Sequence, residues 1–243
     1  MDALSLLGDA VVVEPPSKLA FAVELPRAAW SVMSHAFHRE ALRNAPRGDG
    51  RPIMVLPGLV NSDLSNFVMR GFLNGLGYRA VGWGLGRNFG VRAVGPGAER
   101  LIARVEKFHG ETGEKVTLIG VSLGGIMARI VAHRRPDLVR EVITVSSPYA
   151  GPPTATNVWM AFEVLTGEKI GDDTVKANAA EAAAPPLVPT TAIWSRSDGL
   201  VNGMICHDDQ CRSIEIQSSH MGVQLKPATL LAIADVLAGN KVN

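Results

Sequence analysis

The run "KVTLIGVSLGGIMARIVAHRR", residues 115–135, decides the fold. Up to Val121 it is β-rich and almost continuously apolar, as a strand covered on both faces is. From Leu123 the pattern turns helical. Between the two stands Ser122, flanked by Gly120 and Gly124 in a G-x-S-x-G match. A sharp strand-to-helix turn of this kind pushes a serine hydroxyl out at the top of a sheet, and its glycines are needed because neighbouring segments press close. In a chain with 25 glycines the same letters could mark an ordinary tight turn. The strand before and the helix after favour Ser122 as a presented nucleophile.

Outward from this run, strand and helix patterns alternate. "RPIMVLPG" (51–58) is a short apolar run ending in a turn pair, and "SDLSNFVMRGFLNGLG" (62–77) is helical behind a capping Ser or Asp. "YRAVGWG" (78–84) reads as a strand. "GAERLIARVEKFHGETG" (97–113) sets Leu101, Ile102, Val105 and Phe108 on one helical face. Beyond the central run, "REVITVSS" (140–147), "TTAIWSR" (190–196) and "SIEIQ" (213–217) are strands, and "PATLLAIADVLAG" (227–239) closes as a helix. Such alternation predicts an α/β fold: a mostly parallel central sheet flanked by helices on both faces, with functional groups at the carboxyl ends of its strands. Residues 17–44 read as helical in two pieces broken near Pro26, because proline has no amide proton to donate. Residues 148–189 are too long for a simple connection and are expected to form an inserted cap or lid. Three regions follow: an N-terminal helical segment (1–50) packed on or near the core, a core of 51–147 and 190–243, and the cap of 148–189. Val158, Trp159, Met160, Phe162, Val164 and Leu165 give that cap an apolar character, suited to lining a pocket or to packing on the core.

A serine hydroxyl is a poor nucleophile at neutral pH. It needs a base, and the base needs an orienting carboxylate. The motif sets the chain order Ser, Asp or Glu, then His. Downstream, "WSRSDGLV" places Asp198 just after one strand, and "IEIQSSHMGV" places His220 just after the next. Both emerge at the edge where Ser122 does. Asp198 also heads an Asp-Gly pair common in turns. His207, Asp208 and Asp209 lie in the "CHDDQC" loop with no strand aiming them, Asp172 and Asp173 fall in the cap, and the remaining histidines, His35, His38, His109 and His133, precede the motif or lie on its helix. A developing oxyanion needs two donors: the backbone N–H of Leu123, next after the nucleophile, and one from the "LPGLVNSD" loop, where Gly58 permits a sharp turn and Leu59 is the candidate. "GWGLGRN" (82–88) follows a strand, so Arg87 and Asn88 are candidates to contact a polar substrate group. It lacks the full G-x-G-x-x-G spacing of a nucleotide loop, since Phe89 stands where the third glycine belongs.

Composition narrows the field. The 243 residues carry 24 basic and 23 acidic side chains, a net charge of +1, which gives no electrostatic case for nucleic acid. No apolar run is long enough to span a membrane, and the opening residues lack a basic leader, so a cytoplasmic location is expected. A peripheral membrane contact through the apolar side of residues 17–44 stays open. Cys206 and Cys211 are read as free thiols in a short loop, with a disulfide as the alternative. They make a poor metal site, because structural zinc wants four ligands.

With "LPGLV", "GVSLGG", "SRSDGLV" and "SSHMGV" in place, the chain resembles the α/β-hydrolase family, in particular its lipases and carboxylesterases, over about residues 51–240. Where many lipases carry His-Gly in the oxyanion loop, this sequence has Pro57-Gly58, and "VSSPYAG" looks like the segment that opens a lipase cap. The resemblance implies hydrolysis of a small-molecule or lipid carboxylic ester through an acyl-serine, with no cofactor and no metal. Acyl transfer or thioester or amide cleavage on the same triad, and a non-catalytic lipid- or partner-binding domain, are the alternatives.

Overall fold

The computed structural model of the protein describes residues 14–34 and 36–240. The readings made on residues 1–13 and on His35 lie outside them. Among the described residues six strands form one sheet: β1 (Pro52–Leu56), β2 (Arg79–Gly82), β3 (Val116–Val121), β4 (Val139–Val145), β5 (Thr190–Trp194) and β6 (Arg212–Glu215), ordered β2-β1-β3-β4-β5-β6. All five pairings are parallel. β1, β3 and β5 are buried along their whole length, which is why their sequences read as continuous apolar runs rather than alternating ones.

Successive residues of these strands serve opposite faces. Ile53 and Val55 of β1, Ile119 and Val121 of β3 and Ile143 and Val145 of β4 belong to one core. Met54 and Leu56, Val116 and Leu118, and Val139 and Val142 belong to the other. The first face is covered by α4 (Phe67–Leu76), through Met69, Leu73 and Leu76, and by α10 (Pro227–Leu237), through Leu230, Ile233 and Leu237. The second is covered by α6 (Glu99–Thr112), through Leu101, Val105 and Phe108, and by α7 (Leu123–Arg134), through Met127, Ala128 and Val131. Each fully buried aliphatic side chain contributes about 1.5–3 kcal/mol, so both faces are needed to hold the sheet.

Among the described residues, three helices precede the sheet: α1 (Lys18–Ala22), α2 (Glu24–Met33) and α3 (Arg39–Arg43). α2 packs on a 3-10 turn at Val223–Leu225, and α3 on α10. The expected break near Pro26 falls instead at Val23 and at residues 34 and 36–38. Pro26 sits in the first turn of α2, where an N–H has no intrahelical acceptor and its absence loses nothing. The short α5 (Val91–Val94), bounded by Gly90 and Gly95 with φ of 65° and 88°, had no sequence signal.

Between β4 and β5 run α8 (Trp159–Thr166) and α9 (Asp173–Ala183). α9 is fastened to α7. Arg129, buried, donates from Nε to Ala182 O and from Nη2 to Ala184 O (2.9 Å), and Arg134 grips both carboxylate oxygens of Glu181. Among the described residues no helix is long and apolar enough to cross a membrane.

Candidate active site

Ser122 stands between the end of β3 and the start of α7 with φ 51° and ψ −121°, a conformation that side chains rarely adopt. The turn is pinned by Ser122 N donating to Val145 O (2.8 Å) and Gly125 N donating to Ser122 O (2.9 Å). Its glycines have no room for a side chain. A Cβ on Gly120 would lie 2.4 Å from the backbone of Gly124, and one on Gly124 would lie 2.5 Å from Leu56 O.

The loops after β5 and β6 bring Asp198 and His220 to this turn. His220 Nε2 lies 3.1 Å from Ser122 Oγ, and His220 Nδ1 lies 2.7 Å from Asp198 Oδ2. With Nδ1–H given to the carboxylate, Nε2 is the nitrogen free to accept from the serine hydroxyl. Asp198 is 3% exposed, and its other oxygen accepts from the N–H groups of Leu200 and Val201, both at 2.9 Å. Serines tie the two loops together: Ser195 Oγ donates to Ser218 O (2.9 Å) and accepts from Ser218 N (2.9 Å). Burial pulls the His220 imidazolium down, but the charge and hydrogen bond of Asp198, with the charge of Glu24, outweigh it, so the His220 pKa lies above its ordinary value. Glu24 was in no reading of the sequence. A solitary acid in the otherwise apolar "AFAVELP" was the signal available.

The "LPGLVNSD" loop crosses directly over Ser122: a Cβ on Gly58 would come within 3.3 Å of Ser122 Cβ. The backbone N–H groups of Leu59 and Leu123 donate to no protein acceptor among the described residues, and both residues line the cavity beside Ser122. What holds this loop is Asn88. Its backbone O accepts from Val60 N (2.8 Å), its backbone N donates to Asn61 O (2.8 Å), and its side-chain Nδ2 donates to Pro57 O (2.7 Å). Asn88 is fully buried. Expected as a candidate to contact substrate, it does not line the cavity, and its amide donates to Pro57 O and accepts from Gly90 N. Arg87 is exposed, reaches Val60 O at 3.2 Å and does not line the cavity either. Gly84 and Gly86, at φ 74° and 78°, make an ordinary turn closed by Trp83 Nε1 donating to Gly86 O.

The cavity measures about 460 Å³ and is lined in part by Ser122. Its walls are apolar: Ile126 and Ile130 of α7, Val91 and Val94 of α5, Trp159 and Phe162 of α8, Val175, Ala179 and Ala183 of α9. Glu168 and Asn178 are polar exceptions. Of the apolar residues expected in the 148–189 segment, Val158, Trp159 and Phe162 line the cavity, whereas Met160, Val164 and Leu165 are exposed. His207 lies elsewhere, stacked on Trp194 at 4.1 Å. Cys206 and Cys211 are free thiols. Cys206 is buried, and Cys211 Sγ sits 3.0 Å from Tyr149 Oη.

A family model described as alpha/beta hydrolase fold matches residues 112–185. No curated protein matches. Among solved structures, a Bacillus licheniformis lipase in mature form superposes with a TM-score of 0.58 at 17% identity, covering 80% of this chain and 94% of that one. A Paleococcus ferrophilus monoacylglycerol lipase gives 0.56 at 17%, covering 81% and 97%. A thioesterase domain from the curacin biosynthetic pathway gives 0.52 at 15%, covering 81% and 92%. At such identities the likeness is one of fold. At that level the resemblance drawn from "GVSLGG" and its companions holds.

Proposed function

We propose that this chain, which has the α/β-hydrolase fold, is a serine hydrolase that cleaves carboxylic esters through an acyl-serine. One observation carries the reading: His220 bridges Ser122 Oγ at 3.1 Å and Asp198 at 2.7 Å, and Ser122 lines an apolar cavity. In this mechanism Ser122 Oγ attacks the ester carbonyl carbon while His220 Nε2 takes its proton. Asp198 steadies the imidazolium. The oxyanion is received by the N–H groups of Leu59 and Leu123, which are open for it. His220 then passes the proton to the leaving alkoxide, and the alcohol departs. Water next gives a proton to His220 and attacks the acyl-serine. Collapse returns the proton to Ser122 and frees the acid.

The acyl group occupies the apolar cavity, and residues 148–189 act as the cap that walls it. Substrates are small-molecule or lipid esters whose apolar part gains about 0.8 kcal/mol per methylene buried. The test pairs a fluorophosphonate probe with a chain-length series of aryl esters. The parent should be labelled at Ser122, and Ser122→Ala should lose both label and turnover. Undiminished turnover in Ser122→Ala overturns the reading.

A further inference from the structure

We propose that Glu24 is a positioning residue for the hydrolytic site, its single carboxylate joining the loop of Asp198 to the loop of His220 and so holding the imidazole in line with Ser122. The inference rests on the hydrolase reading above. Glu24 lies in the first turn of α2 and is 1% exposed. One of its oxygens accepts from Gly199 N at 2.7 Å, and the other accepts from Met221 N at 2.8 Å. Gly199 follows Asp198 directly, and Met221 follows His220. One carboxylate therefore fixes the backbone immediately after both residues.

A buried carboxylate is costly unless its oxygens are satisfied, and hydrogen bonds to a charged acceptor are about twice as strong as neutral ones. Glu24 is satisfied by these two loops. The elements around it are built to keep it there. Three residues on, Arg27 donates from Nη1 to Ser197 O (2.6 Å) and from Nη2 to Ser197 Oγ (2.8 Å). Asn157 donates to both Pro16 O and Gly199 O, each at 2.9 Å. A Cβ on Gly199 would lie 2.3 Å from Ala20 O and 2.9 Å from Glu24 Oε1, so the helix and the acid loop meet backbone to backbone. Asp198 fixes the orientation of the ring. Glu24 fixes where the chain that carries the ring can be, and a misplacement of about 1 Å at such a site can cost on the order of 100-fold in rate.

Glu24 also acts through its charge. The acids that face His220 are Asp198, from the loop after β5, and Glu24, from α2, and the turn after β3 offers only the Ser122 hydroxyl. Burial lowers the imidazole pKa and both acids raise it, with a net rise. His220 must be neutral to take a proton, so activity in the parent climbs as pH rises through a midpoint above the ordinary 6.5. Removing the Glu24 charge moves that midpoint to lower pH.

The test uses the full chain and two variants. Glu24→Gln is nearly isosteric, but it keeps one acceptor and turns an NH2 toward the second amide. Its kcat should fall about 10- to 100-fold with KM little changed, and the His220 midpoint, read by NMR of the imidazole and by the acid limb of kcat/KM, should drop. Glu24→Asp keeps the charge one methylene short. Its midpoint should stay nearer the parent's while its kcat falls, and the same readouts serve if Glu24→Gln does not fold. A variant with parental kcat and parental midpoint, whatever its melting temperature, reduces Glu24 to a structural staple and overturns the inference. Failure of the parent to take the fluorophosphonate sinks the hydrolase reading, while the NMR midpoint, which needs no turnover, still answers for Glu24.

Discussion

The two sides of the Ser122 hydroxyl are built on opposite rules. On the side of Asp198 and His220, polar groups are already engaged. Asp198 holds two backbone N–H groups and the imidazole, Ser195 and Ser218 lock the loops to each other, and Glu24 locks them to α2. On the other side the N–H groups of Leu59 and Leu123 have no protein acceptor among the described residues, although the loop that carries Leu59 is braced by three hydrogen bonds with Asn88. Fixed charge is satisfied by the fold itself. The open donors lie where, in the proposed reaction, charge exists only in passing. A donor held rigid yet unoccupied can bind such a charge without first breaking another bond, which is where electrostatic catalysis gains most.

The strongest way to break this contrast is on the satisfied side. Asp198→Asn keeps the shape but lets the imidazole take the wrong tautomer, and kcat should fall on the order of 10,000-fold. A loss of less than about tenfold in steady-state hydrolysis would mean that the engaged side is merely structural. On the open side, Asn88→Ala removes the side-chain bond to Pro57 O and leaves the two backbone bonds to the loop in place. Esterase kcat should fall on the order of 100-fold, as for loss of one oxyanion donor, and urea unfolding should show about 1–3 kcal/mol less stability from the Pro57 carbonyl left without its partner. Stability lost with kcat intact would show that the loop holds its place unaided. The finest distinction comes from Arg87→Ala. Its guanidinium touches the same loop at Val60 O but from the exposed surface, so turnover should change by no more than about twofold. A large drop would transfer the bracing role from Asn88 to Arg87.

Much of this was legible in the chain because it depends on local chemistry. The buried parallel strands announce themselves by continuous apolar runs, and the turn at Ser122 by glycines that the packing requires. Asp198 and His220 stood out because each follows a strand by a few residues, and in a parallel sheet strand ends share a rim. What stayed hidden was the part that depends on distant backbone. Asn88 reads as a side chain that projects from a loop, and only the folded path of Pro57–Asn61 shows what its amide is for. Glu24 bonds to two N–H groups that belong to Gly199 and Met221, and backbone amides leave no letter in a sequence. Proline at residue 26 misled for a related reason: its effect depends on whether it falls in a helix's first turn, and Glu24, which begins α2, gave no strong start signal.

The bareness of Gly199 reaches beyond its own turn. Because the carbonyl of Ala20 occupies the space a side chain would need, altering the residue next to Asp198 also alters the seat of α1. Libraries that vary residues 197–200 to retune reactivity would do better to vary 18–24 in the same experiment, and a fragment begun at residue 51 would expose the acid loop's inner surface to water.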